Sequence, residues 1–168
     1  LIVNPLPVLV TPVPLELCDV NNPGDEAEAF TLEDANAEIL NLQTGISLTY
    51  YETQLDADNA TNPIESPYTN TSNAQTIFVR AVNDITGCYN TVTVTLRVDP
   101  IPSPESNPDP IEVCDDDNDG FGVFDLELRT LEITNGELNV VITYHETQTE
   151  AELGDNPITG LYTNIVEN

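Results

Sequence analysis

Lysine is absent from this sequence, and Arg80, Arg97 and Arg129 are its only fixed cations. Against 30 Asp and Glu they leave a formal net charge of −27. No basic patch exists to displace counterions from phosphate, so nucleic acid and anionic membrane surfaces are excluded as partners. Long apolar runs are missing too. The opening stretch "LIVNPLPVLVTPVP" is broken by Pro5, Pro7, Pro12 and Pro14, which rules it out as a spanning helix, so no direct membrane insertion is expected. Without a tryptophan the Cys–Trp–Cys core of antibody domains is excluded. Catalytic signatures are equally scarce. No G-x-S-x-G, H-E-x-x-H or phosphate loop is present, and the single histidine, His145, occupies a position that Tyr51 fills elsewhere in the chain. A non-enzymatic protein is expected.

What the chain does have is repetition. "LELCD" (15–19) returns as "IEVCD" (111–115), "YYETQ" (50–54) as "YHETQ" (144–148), "NPI" (62–64) at 156–158 and "YTN" (68–70) at 162–164. "LIVNPLP" (1–7) also matches "LRVDPIP" (96–102). The expected organisation is therefore residues 1–10 as the end of a preceding repeat, 11–102 as one complete repeat of about 95 residues, and 103–168 as a partial second one, cut from a longer array. Alternation in "TVTVTLRV" (91–98), with β-rich "QTIFVRAV" (75–82) and "ISLTYYET" (46–53), indicates strands, and dense β-branched and aromatic runs argue against disorder despite the charge. "NDITGCYN" (83–90) reads as a hairpin turning at Gly87. Residues 33–41 and 129–135 read as short helical segments, the first with Thr31 as its N-cap. The expected fold is all-β: tandem immunoglobulin-like sandwiches, each of roughly seven strands, joined by the Pro-rich linkers 5–14 and 100–110 into a rod.

Each complete repeat carries one cysteine in its first strand (Cys18, Cys114) and one in its late hairpin (Cys88). If the hairpin and the start of the first strand share one pole of a sandwich, Cys18 and Cys88 form a disulfide, and Cys114 pairs outside this segment. Such bonds imply an oxidising, extracellular setting.

Asp115, Asp117 and Asp119 alternate and Gly120 follows, the opening of an oxygen-donor calcium loop. Phe121 would add its carbonyl. Leu126 stands where an EF-hand would close with Glu, which leaves Asp125 as the closing carboxylate. The oxygen-only donor set selects Ca²⁺ over zinc or copper. In repeat one Asp19, Asn21 and Asp25 form a weaker version, spoiled by Pro23 and a longer loop. Asn59-Ala60-Thr61 and Asn70-Thr71-Ser72 match glycan-acceptor triplets.

The "CDxDxDGxxxFDL" segment, the "YxETxxxA" strand, "NPI…YTN" and the "TGCY" hairpin resemble the tandem modules of giant cell-surface and gliding-motility adhesins of the Bacteroidota, exported by type IX secretion. That resemblance covers both repeats and implies an extracellular, calcium-stiffened β-sandwich array at the bacterial surface. Its partners would be further copies of the same repeat in a longer chain. Alternatives are a self-assembling filament of identical copies, or an adhesin domain gripping a surface or glycan through tyrosines 50, 51, 68, 144 and 162.

Overall fold

A computed structural model describes residues 1–165. The chain divides into two compact units, Leu1–Ile101 and Pro102–Asn168.

Unit 1 is built on two long strands, β5 (Gln75–Asn83) and β6 (Tyr89–Asp99), joined by the hairpin that carries Cys88. They pair antiparallel from Gln75↔Leu96 to Val82↔Tyr89. Two further strands complete a four-stranded sheet in the order β1-β6-β5-β3, where β1 is Leu15–Cys18 and β3 is Ile46–Tyr51. β1 runs parallel to β6, with Leu15 opposite Leu96 and Cys18 opposite Asp99. A separate two-stranded ribbon pairs β2 (Ala29–Phe30) with β4 (Tyr68–Thr69). The unit is thus β-rich, with six strands and short helical segments between them. Leu32–Ala35 is a 3₁₀ turn that runs into helix α1 (Asn36–Leu40). Thr31 stands at the N-cap of that turn without a side-chain capping bond.

Burial follows the alternation. Ile77, Val79 and Ala81 from β5 and Val94, Leu96 and Val98 from β6 are fully buried, as the period of two requires when one face meets a core. Phe30, Leu32, Ala35 and Ile39 close that face from the ribbon and helix side. Tyr50 belongs to the same core and donates its hydroxyl to Leu32 O at 2.9 Å. Burial pushes its phenol well above the usual range. Tyr50 and Tyr51, 5% and 3% exposed, are therefore scaffold residues, and a glycan platform cannot be built from them.

The strand expected to continue through "YYETQ" ends at Tyr51. Thr53 caps helix α2 (Gln54–Asn59) by accepting from Asp56 N at 3.1 Å, a capping arrangement that ends the ladder. The Pro-rich stretch expected as a linker lies on unit 1 instead. Val10 N donates to Ile39 O, Val8 N to Gln43 Oε1 and Val13 N to Glu38 Oε2, while Pro7 and Pro12 are buried.

Unit 2 repeats the local structure of residues 15–70. β7 (Val123–Phe124) pairs with β8 (Tyr162–Thr163) as β2 pairs with β4. The bridge Tyr144↔Ile158 reproduces Tyr50↔Ile64. Helices α3 (Thr130–Ile133) and α4 (Gln148–Leu153) correspond to α1 and α2, and Thr147 caps α4 as Thr53 caps α2. Among the described residues this unit has no counterpart of β5 and β6, and the segments matching β1 and β3 form no ladder. Both of those strands need a partner from the hairpin, so the absence follows from the topology of unit 1.

Candidate functional site

The two acidic loops start alike. Asp19 Oδ2 accepts from Gly24 N at 2.6 Å, and Asp115 Oδ2 accepts from Gly120 N at 2.9 Å. Both glycines have positive φ, +100° and +82°, a conformation that costs glycine little and other residues more. The sequence insertion therefore falls after this shared Asp-to-Gly turn, not within it.

From that turn the loops diverge. In repeat two the carboxylates of Asp115, Asp117 and Asp119 bring their ligand atoms within 4.8 Å of one another, all exposed. They are the one such acidic group among the described residues. Asp115 also accepts from Asp119 N at 3.3 Å, and the Gly120 amide foremost holds its carboxyl below the ordinary value. Phe121 donates its N–H to Asp119 Oδ1 at 2.9 Å, which turns the chain back over the cluster. Three anions this close repel one another unless a cation sits among them, and hard oxygen donors of this kind suit Ca²⁺. Asp125 does not join the cluster. Its carboxylate caps the 3₁₀ turn Leu126–Arg129 by accepting from Glu127 N at 3.1 Å, so the expected closing ligand is committed to a helix start.

In repeat one a glutamate side chain bonds the loop instead. Glu28, 4% exposed, accepts through Oε1 from Val20 N at 2.7 Å and Asn21 N at 2.8 Å, and through Oε2 from the Asn21 side-chain amide. Asp25 accepts from Asn22 Nδ2 and Ala27 N. Asp19, Asn21 and Asp25, expected as a weak ion site, are thus each held by local bonds. An internal carboxylate satisfies loop donors that face Glu28. Asp19 keeps one oxygen, Oδ1, buried without a hydrogen-bond partner. The position equivalent to Glu28 in repeat two is Gly122, where a Cβ would meet Val113 Cγ2 at 2.6 Å, so the internal brace has no room there.

The Asn21 amide is the main cause holding the Glu28 carboxyl below its ordinary 4.5, and Val20 adds to it. A depressed carboxyl contributes stability that is complete above its unfolded value and is lost as pH falls through the folded one. The Val20 and Asn21 amide resonances should therefore hold steady down to about pH 4.5 and shift together below it. An NMR pH titration measures this, and a transition centred above that value would contradict the bonding.

The residue that ties each loop to the ribbon is the asparagine of "YTN", which in repeat one also opens a glycan-acceptor triplet. Asn70, 4% exposed, accepts from Glu28 N at 2.8 Å and donates to Glu26 O and Ser72 O. Asn164 accepts from Gly122 N at 2.6 Å and donates to Gly120 O at 2.9 Å. The repeated "YTN" carried this signal. Burial of Asn70 also removes it as a glycan acceptor. His145 sits between Asp155 O and Thr143 Oγ1.

The cysteines are placed differently from expectation. Cys18 stands opposite Asp99 at the end of β6, and Cys88 lies just before that strand begins. At about 3.3 Å per residue they are roughly 35 Å apart, far beyond the Cα separation of a disulfide, about 4.4–6.8 Å. All three cysteines are free thiols, with Cys18 and Cys114 exposed and Cys88 half-buried. The expected Cys18–Cys88 bond is excluded because β1 pairs with residues 96–99 at the far end of β6, which holds Cys18 at the pole opposite the hairpin.

No curated protein and no solved structure matches the chain. Residues 14–102 and 110–168, covering both repeats, match the family described as the Flavobacterium inter-domain disulphide bond domain, and the chain belongs to that family.

Proposed function

We propose that these repeats are non-enzymatic structural modules in the stalk of a large secreted bacterial surface adhesin, where bound calcium and disulfides between neighbouring repeats stiffen the array. The observation that carries this reading is the path of the chain through unit 1. Residues 7–14 arrive beside the hairpin, where Asn90 Nδ2 donates to Pro7 O at 3.0 Å, and the chain departs from the far end of β6 at Asp99. Pulling on the two ends loads β1 at its N-terminus and β6 at its C-terminus. Because these strands are parallel, every bond between them is sheared at once instead of being opened one by one. An element that has to transmit force gains from this geometry, and membership of a disulfide-linking family agrees with it. The fixed charge of −27 keeps neighbouring stalks from adhering to one another.

Calcium titration tests the ion. Isothermal calorimetry on the 168-residue chain should find one site, and D117N/D119N should weaken it at least about tenfold, since ligand charge count sets affinity in such loops. Electron microscopy of the parent array should show beaded rods whose repeat spacing loosens on chelation. Rods indifferent to chelation, with no calorimetric site, would remove calcium from the reading. Thick multi-chain fibres would replace the stalk with a self-assembling filament.

A further inference from the structure

Unit 1 shows what covers the inner face of this repeat, and unit 2 carries the same face bare. Phe30, Leu32, Ile39 and Tyr50 are buried in one core with Ile77, Val79, Val94 and Leu96 of the β5–β6 hairpin. Their counterparts Phe124, Leu126, Ile133 and Tyr144 are only half-buried, and Ala151 is exposed where Ala57 is fully buried. A groove of about 530 Å³ opens along Leu126, Ile142, Tyr144 and Ile158. The equivalent groove in unit 1 is about 290 Å³ and does not reach Leu32. Backbone pairing is open in the same place. β3 has β5 on one edge and Ile64 on the other. Residues 140–145, its counterpart, keep the bridge from Tyr144 to Ile158 but have no ladder on the other edge among the described residues. Residues 111–114 likewise lack the strand that β1 finds in β6. In unit 1 a single hairpin serves both segments.

We infer that the open face of unit 2 is a docking site for a β-hairpin of the 75–99 type, with its first strand antiparallel to 140–145 and its second parallel to 111–114, a strand addition on both flanks. The register of unit 1 sets Val79 opposite Tyr144 and Ala81 opposite Ile142. Polar partners carry over as well. In unit 1 Arg80 donates to Ala57 O at 2.8 Å and Asp58 O at 3.1 Å, Gln54 Nε2 donates to Thr91 Oγ1 at 3.3 Å, and Gln75 Nε2 donates to Tyr68 OH at 2.9 Å. Unit 2 offers Ala151, Glu152, Gln148 and Tyr162 in the equivalent places. Charge is complementary. Within 75–99 Arg80 and Arg97 balance Asp84 and Asp99, so the hairpin is neutral beside an acidic chain and sets an arginine near Glu152. The occupant has to be unseated. Inside a folded chain the hairpin is already buried in unit 1, so moving it to another chain's unit 2 bares as much apolar face as it covers. Two folded copies therefore do not associate, and the face selects a hairpin that has no unit of its own. The site is independent of the ion and of any cross-link between repeats.

A labelled peptide of residues 71–101 carrying C88S, added to the 168-residue chain, tests this by fluorescence anisotropy and hydrogen exchange. It should bind one to one and protect residues 111–114 and 140–145, while 46–51 stay unchanged. R80A in the peptide should weaken binding at least about tenfold, the scale of a lost hydrogen bond from a charged donor, and V79D should abolish it. If the free peptide aggregates, the same segment tethered to Asn168 by a flexible Gly/Ser linker is read by the same exchange and the same two substitutions. No protection at 140–145 in a folded chain, free peptide or tethered, would overturn the inference. So would binding that survives V79D, because the inner face would then not be what docks. A change confined to 46–51 would mean that the peptide displaces the resident hairpin of unit 1, and would overturn it too. Dimers of the chain without peptide would overturn the requirement for an unseated hairpin.

Discussion

Leu96→Ala should destabilise unit 1 by about 3 kcal/mol, within the range measured for leucine truncations in closed cores. In a domain of this size that lowers the melting temperature by on the order of 15 °C. Leu96 is fully buried toward the C-terminal end of β6 and is paired on both sides at once, with Leu15 of β1 and Gln75 of β5. A cavity there loosens the sheet and the contact by which the incoming segment is fastened to the outgoing strand. The neighbouring Arg97→Ala makes the contrast. Its guanidinium pairs with Glu16 at 3.2 Å and Asp99 at 2.9 Å, but all three side chains are about half exposed, and surface pairs of this kind contribute at most about 1 kcal/mol. Thermal denaturation of the two variants of residues 1–101, followed by circular dichroism, should separate them clearly. Equal shifts would mean that β6 is held by its charges and not by its buried face.

How much of this was legible depended on how local each signal is. "TVTVTLRV" states its own burial pattern, and the structure follows it residue by residue, from Val94 to Leu96 to Val98. Tandem repetition was legible because it needs only a comparison of the chain with itself. The direction of β1 was not. "LELC" is four residues long and pairs as readily parallel as antiparallel, so nothing in it says that Cys18 ends beside Asp99. The stretch of β6 that it pairs with, residues 96–99, was not legible either, and that register is what parts Cys18 from Cys88. The capping helices were readable in principle, since Thr53 with Asp56 and Thr147 with Glu150 keep the spacing of a capping box, but the β-branched run before them masked the stop.

The acidic loop shows the same division. Its converging carboxylates follow from their alternation, whereas the role of Glu28 depends on a fold that returns it to the amides of Val20 and Asn21. No spacing rule distinguishes a glutamate that will brace a loop from one that merely adds charge. Comparison of the two repeats does, because Gly122 in the equivalent place leaves repeat two with no internal anion over its loop.

Asn70→Ala should therefore be among the costliest polar substitutions in the chain, at about 1–3 kcal/mol, because it strands the buried Glu28 amide and releases the carbonyls of Glu26 and Ser72. Its effect should reach beyond stability. Glu28 is positioned through its own backbone N–H, so loss of Asn70 should also release the Val20 and Asn21 amides, visible as coupled shifts in the NMR spectrum. Asn164→Ala is the matching experiment in repeat two. Asn164 holds Gly120 O and Gly122 N without being one of the clustered acids. If it acts by presenting the loop, calcium affinity should fall roughly tenfold, the scale seen when an outer-shell partner is removed, with the number of bound ions unchanged. Asp117→Asn in the same titration should lower affinity directly through lost charge. An Asn164→Ala chain that binds calcium with undiminished affinity would mean that the aspartates hold their own arrangement. The ribbon β7–β8 would then have no part in the ion site.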